Sequence, residues 1–308
     1  MGKKIKDPGI GNASAKYVGR LIDNNGQFNV VHMNKTPRFS EAYNYLLNIS
    51  WLQFFGFSFL SFILANVIFA LIYCGIGVSE ITTAKGNFLQ DFLSAFFFSS
   101  QTFTTLGYGA MAPNGIASGI VSSVEAFVGL MFFAFATGLL YGRFSKPRAA
   151  IRFSKHIVLN NFGNNKALMF RIENDRKSTM INPRVDVTLT LTKKNSKEGY
   201  TNNFYSLDLE RDNINYLLTT WTIVHEIDKQ SPLYNTLYND LVKMQGELIV
   251  MVSYYDEAFN QEVHQMYSYL LNEIKPDYKF SKAYYYNDKG EMVLDHKRFD
   301  CIEPTLDS

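Results

Sequence analysis

The chain has 308 residues, with 30 Lys and Arg against 28 Asp and Glu; its formal net charge of +2 lacks the basic excess that a nucleic-acid partner requires. A mean hydropathy of −0.09 excludes a chain built wholly of membrane spans, yet the average conceals an apolar, Phe-rich first half and a charged second half. Two cysteines, Cys74 and Cys301, are too few for a disulfide framework.

Residues 1–38 are mostly polar, with turn signals at Pro8-Gly9 and Asn24-Asn25-Gly26. Lys3, Lys4 and Lys6 run into Asp7-Pro8-Gly9 and not into an apolar core, so the segment reads as a cytoplasmic arm and not as a secretory signal. In residues 39–49, Phe39, Tyr43, Leu46 and Leu47 recur at helical spacing. A short amphipathic helix running into a span reads as one lying in the membrane interface, or simply as the first turns of that span. No charged residue occurs from Ala42 to Ser79, and Trp51–Ile76 is long enough to cross ~30 Å of hydrocarbon. Trp51 and Tyr73 suit its two interfaces.

Phe88–Thr104 reads as an apolar helix too short to span, and therefore re-entrant. Non-helical backbone at that depth is tolerated only where protein or a water-filled cavity covers it. The helix leads into Thr104-Thr105-Leu106-Gly107-Tyr108-Gly109. Gly107 and Gly109 allow backbone angles that a Cβ forbids, and the negative end of the helix dipole favours a cation just beyond it. The hexapeptide resembles the selectivity filter of potassium channels, where near-identical loops replace the hydration shell of K⁺ with carbonyl oxygens. The resemblance implies K⁺ held by the carbonyls of Thr105, Leu106, Gly107, Tyr108 and Gly109, in four copies about one axis. Gln101 and Thr104 are then supports, and no cofactor or other metal is expected.

A second span is predicted from Ile116 to Tyr141. Gly129 lies where a pore-lining helix bends, or else serves close helix packing. Glu125 is anomalous, since a carboxylate inside a span costs about 2.5–3.5 kcal/mol on insertion scales. It is expected to hydrogen-bond behind the filter; the alternative is that it reaches the outer interface. Lys35 and Arg38 precede the first span, Arg143, Lys146 and Arg148 follow the second, and the loop between offers only Lys85. Both termini are therefore expected in the cytoplasm. The basic cluster is either a topology signal or a site for anionic phospholipid, at about 1 kcal/mol per charge.

From Pro147 onward the period becomes that of strands. Val185–Leu191 alternates, Phe204–Leu209, Trp221–Val224 and Leu248–Val252 are further candidates, and Tyr284–Tyr286 enters the turn Asn287-Asp288-Lys289-Gly290. Short strands separated by turns predict an immunoglobulin-like β-sandwich. There is no Gly-x-Gly-x-x-Gly after a strand, and His32, His156, His225, His264 and His296 lack metal-ligand spacing. No nucleophile–base motif stands out, so an enzyme is not expected.

Tyr141-Gly142-Arg143-Phe144-Ser145-Lys146-Pro147 resembles the junction of pore and cytoplasmic domain in prokaryotic inward rectifier potassium channels. Val124-Glu125-Ala126, Trp221–Asp228 with Ser231–Tyr234, and Asp256-Glu257-Ala258-Phe259 are also similar to that family, over about residues 35–300. The resemblance implies a homotetramer in the cell membrane, bacterial inner membrane by type, with an N-terminal arm (1–38), a two-span pore domain with re-entrant helix (39–146) and a cytoplasmic sandwich (147–308). It further implies gating by the cytoplasmic domain and by anionic lipid, Phe133 in the cavity, Tyr141 at the gate, and Asp256, Glu257 and Phe259 in a cytoplasmic pore loop. Two positions depart from the pattern: Gln101 and Ala110 stand where the family often has acids, which removes the usual ionic bracing of the filter. Phe133 is apolar where a charge controls polyamine block, so strong rectification at that site is not expected. The competing reading is a membrane-anchored sensor whose pore does not conduct.

Overall fold

The computed structural model describes residues 3–11, 13–14, 20–23, 26–31, 33–34, 39–81, 86–146, 150–176, 179–195 and 199–305. The chain divides into two units, Asn34–Lys146 and Met1–Met33 with Pro147–Ser308.

The first unit is helical: α1 (Phe39–Asn48), α2 (Trp51–Ile76), α3 (Phe88–Phe103) and α4 (Ile116–Ser145). Local chemistry sets where they begin. At α2, Ser50 Oγ accepts from Gln53 N at 3.2 Å while Gln53 Oε1 accepts from Ser50 N at 3.0 Å, closing a capping box. Asn87 and Gln90 do the same for α3 at 3.0 and 3.1 Å. Gly77, at φ +117°, ends α2 in a conformation that L side chains rarely adopt. α2 and α4 are long and apolar enough to cross a membrane, and leave Phe55, Phe57, Leu60, Phe127 and Phe135 exposed. A helix apolar on all sides belongs in lipid or in a large core. α4 runs four residues past Tyr141, which takes Arg143 into the helix. Between the helices sits a small core of Ala70, Tyr73, Ile81, Ala95 and Phe98. Tyr73 meets Phe98 edge to face at 5.0 Å, and Phe103 meets Phe62 at 5.7 Å and Phe132 at 5.5 Å.

The second unit is a β-sandwich. Its main strands are β1 (Lys4–Ile5), β2 (Ala13–Ser14), β3 (Ile151–Phe153), β4 (Ile157–Phe162), β5 (Asn165–Asn174), β6 (Met180–Asn195), β7 (Gly199–Leu207), β8 (Tyr216–Leu217), β9 (Thr220–Glu226), β10 (Gln245–Asp256), β11 (Gln261–Leu270) and β12 (Ile274–Pro276). One sheet runs β1-β7-β6-β10-β11, with β2 on β7 and β8 on β6; the other runs β12-β4-β5-β3, with β9 on β5. The pairs are antiparallel except β12 with β4. Alternation in β6 turns Val185, Val187 and Leu189 into a core shared with Phe170, Ile172 and Ile223 of the second sheet. The arm contributes β1 and β2 to the edge of β7. Tyr284–Tyr286 pairs with Met292–Leu294 across the Asn287–Gly290 turn.

Candidate functional site

α3 delivers the filter-like loop. Its last turn ends on Thr104, whose N–H and hydroxyl both donate to Ser100 O, at 3.2 and 2.7 Å. The carbonyl of Gln101 then accepts from Leu106 N at 2.8 Å and Gly107 N at 3.4 Å, so the helix end and the loop satisfy each other's backbone groups. Beyond it, φ is positive at every second residue: Thr105 (+59°), Gly107 (+51°) and Gly109 (+84°). This alternation departs from an ordinary strand, in which successive residues share one handedness. For a β-branched Thr the conformation is an outlier, the kind of strain that collects at functional loops. Tyr108 is 74% exposed, and a Cβ at Gly107 or Gly109 would meet nothing within 4 Å.

Behind the loop lies a wholly buried polar cluster. Glu125 of α4 accepts from Tyr73 Oη at 2.7 Å through one carboxyl oxygen. Its other oxygen forms a short hydrogen bond with Ser99 Oγ of α3. Ser99 Oγ also lies 3.0 Å from Asn66 Oδ1 of α2. Glu125 thus sits among α2, α3 and α4 and not at an interface. One turn along α4, a Cβ on Gly129 would overlap the carbonyl of Phe103, at the end of α3. The close approach of α3 to α4 therefore requires a glycine here. Sequence reading missed Asn66, Ser99 and Tyr73 as members of this cluster; the available signal was a polar residue inside an apolar run.

On the side toward Ala110, Glu80 and Ile81 tie the segment after the loop to the end of α2 and the start of α4. The Glu80 carbonyl accepts from Asn114 N at 2.7 Å, its carboxylate accepts from Ser118 N at 3.4 Å near the start of α4, and Ile81 O accepts from Ala112 N at 3.3 Å. A carboxylate at a helix N-terminus is stabilised by the dipole.

Of the lipid-binding candidates, Lys35, Arg38 and Arg148 lie outside the described residues. Arg143 is only 9% exposed. Its guanidinium donates to Leu46 O at 2.6 Å and Ile49 O at 2.7 Å, and stands 4.5 Å from the Trp51 ring and 4.8 Å from that of Phe54. A fork of donors and a flat cation between aromatic faces make it a clamp joining α4 to the α1–α2 corner. Lys146 is exposed and donates to Asn48 Oδ1 at 2.6 Å. Phe133 and Tyr141 are exposed on α4.

In the sandwich, the loop between β10 and β11 is anchored from within. Asp256 is buried, pairs with Arg176 at 2.9 Å and accepts from Ala258 N at 3.0 Å, while Arg176 lies over the Phe259 ring at 5.3 Å. Glu257 faces solvent and Phe259 is half-buried.

Two spans bracketing a re-entrant helix and a glycine loop, in a chain that also carries a β-sandwich, are the parts of a pore-loop ion channel. The inward rectifier potassium channel C-terminal domain matches residues 151–305, and the ion channel family matches residues 58–146. Inward rectifier potassium channel Kirbac3.1 of Paramagnetospirillum magnetotacticum is 31% identical over 287 residues, covering 92% of this chain and 95% of that one. Inward rectifier potassium channel 18 of Homo sapiens is 27% identical over 304 residues, covering 91% and 70% respectively. The chain belongs to the inward rectifier potassium channel family.

Proposed function

We propose that four copies of this chain enclose a K⁺-selective pore, with the carbonyls of Thr105, Leu106, Gly107, Tyr108 and Gly109 standing in for the ion's water shell. The observation that carries this reading is the alternation of positive φ along an exposed loop held at the end of a short helix. An exposed loop of this kind at membrane depth requires other protein around it, and three further copies supply that. Gln101, Thr104 and Glu125 support the filter through α3, Phe133 lines the cavity and Tyr141 narrows its inner end.

Both termini lie in the cytoplasm of this reading, the sandwich gates the pore, and the loop of Asp256, Glu257 and Phe259 narrows the cytoplasmic path. Lys35, Arg38, Lys146 and Arg148 meet anionic phospholipid, while Arg143 holds the corner between α4, α1 and α2. The test is K⁺ and Na⁺ flux from reconstituted full-length protein, with and without anionic lipid. Gly109 is at φ +84° with open space about it, so Gly109→Ala strains the backbone without a clash. It is expected to abolish K⁺ flux while tetramers still assemble; undiminished K⁺-selective flux removes the filter assignment.

A further inference from the structure

Asn66, Ser99 and Glu125 have no exposed surface, and Tyr73 is 1% exposed. Their hydrogens can be counted. Asn66 Nδ2 donates to Phe62 O at 2.7 Å, which leaves Oδ1 as the atom facing Ser99. Turning the amide over would set Oδ1 against the Phe62 carbonyl, oxygen against oxygen. Ser99 Oγ therefore faces two oxygens, Asn66 Oδ1 and Glu125 Oε1, with a single proton to give. Asn66 Oδ1 can only accept. The contact between Ser99 and Glu125 is filled as well only when the carboxyl brings its own proton. Tyr73 Oη donates to Oε2, the remaining carboxyl oxygen. Among the described residues no Lys, Arg or His pairs with Glu125, so no neighbouring cation holds it as an anion.

We propose that Glu125 is a neutral carboxylic acid that donates to Ser99, completing a directed chain from Tyr73 through Glu125 and Ser99 to Asn66 that positions the pore helix. This rests on the filter reading above and names what stands in for the ionic bracing lost at Gln101 and Ala110. Ser99 lies one turn before Phe103 on α3, and the Gln101 carbonyl between them receives the filter amides. A shift of α3 is thus passed directly to the loop. Glu125, Ser99, Asn66 and Tyr73 are positioning residues, since none of them touches the ion path.

Glutamine separates the two protonation states. In Glu125→Gln the amide Nε2 donates to Ser99 and Oε1 accepts from Tyr73, reproducing the neutral acid's pattern, whereas it cannot imitate a carboxylate that accepts on both sides. In the full-length channel in liposomes, E125Q is expected to keep the wild-type K⁺/Na⁺ permeability ratio. E125A and Ser99→Ala are expected to lower it about tenfold, the factor that one lost buried hydrogen bond corresponds to, and Ser99→Thr to restore it. The infrared difference between wild type and E125Q is expected to carry the carbonyl band of a protonated carboxyl. E125Q behaving like E125A, or a difference spectrum with only carboxylate bands, overturns the donor assignment. Unchanged selectivity in both E125A and S99A overturns the positioning role. Should E125A fail to assemble, the Ser99 pair and the infrared band decide. The band needs no conduction, so wild-type protein without K⁺ flux strikes the pore reading while leaving Glu125 to be judged by its spectrum.

Discussion

The two units of this chain bury acids in opposite ways. In the sandwich, buried Glu173 and Asp256 are met by Arg152 at 2.8 Å and Arg176 at 2.9 Å, whose side chains stay 36% and 27% exposed. In the helical unit, buried Glu125 meets a serine and a tyrosine. The difference follows from the solvent. An arginine at a sheet edge keeps part of its hydration while pairing, so the ion pair is affordable. At membrane depth no water remains to share, and hydroxyl and phenol groups satisfy the acid without adding a charge. Apolar side chains obey the same inversion: Val187, Leu189 and Val250 are enclosed between sheets, whereas Phe57, Leu60 and Phe135 are displayed outward. The sandwich is held by what it encloses, and the helical unit adds close helix contacts and buried polar groups to a small apolar core.

The sharpest way to break this contrast is at Gly129. If close backbone approach sets the register of α4 on α3, Gly129→Val must push the helices apart, because its branches would occupy the space of the Phe103 carbonyl. Loss of both K⁺ flux and SDS-resistant tetramers is expected. Gly138→Ala, whose Cβ would meet nothing within 4 Å of this chain, is the control expected to retain tetramers. Tetramers and wild-type flux from Gly129→Val would show that the contact does not hold the unit together.

A smaller effect is expected in the sandwich. Asp256→Ala removes an ion-pair partner of Arg176 and an acceptor for Ala258 N. Removing one member of a fully buried pair costs about 3–5 kcal/mol; Arg176 can rehydrate here, so about 2 kcal/mol is expected. For a unit of this size that is a fall in melting temperature of about 4–8 °C, read from the β-sheet circular dichroism of the full-length protein. The flux selectivity of the pore should be unchanged, because the filter's supports lie in the other unit. A melting temperature equal to wild type would mean that the pair contributes nothing.

What the sequence disclosed, and what it withheld, divides along the same line. The first span and the start of the pore helix were read at Trp51–Ile76 and Phe88, because a charge-free run and an apolar stretch too short to span are local facts. The alternation of Val185–Leu191 disclosed β6 for the same reason. The polar cluster was not legible beyond Glu125, since Ser99 lies 26 residues from it and Tyr73 52, and periodicity says nothing about which helices meet. Arg143 read as a lipid-facing cation from its neighbours in sequence, but its carbonyl partners lie 97 and 94 residues away. Asp256 read by resemblance as part of a cytoplasmic pore loop, and its pairing with Arg176, 80 residues upstream, was not legible.

The smallest expected effect tests whether the sandwich behaves as a unit in water, free to exchange protons. His225 is buried, with Nδ1 2.7 Å from the Asp208 carbonyl and Nε2 2.9 Å from Ser231 Oγ. Both contacts are satisfied by the neutral ring, Nδ1 donating and Nε2 accepting from the serine. Burial holds the imidazole below its ordinary value of 6.5, against the opposing pull of Asp208, Asp228 and Glu226. In the unfolded chain the ring takes up a proton as pH falls through 6.5, while the folded chain resists. Below that value the unfolded state therefore binds more protons, and stability falls with falling pH, by at most about 1.4 kcal/mol per unit for one group. The loss ends where the folded ring itself titrates. Glu173 acts with the opposite sign, since burial raises its carboxyl above 4.5 and the folded state is then the one that holds the proton more tightly. The difference between wild type and His225→Gln isolates the histidine. Melting temperatures of the two full-length proteins should converge as pH falls from about 8 to about 5, and parallel profiles across that range would mean that this ring is not held neutral by the sandwich core.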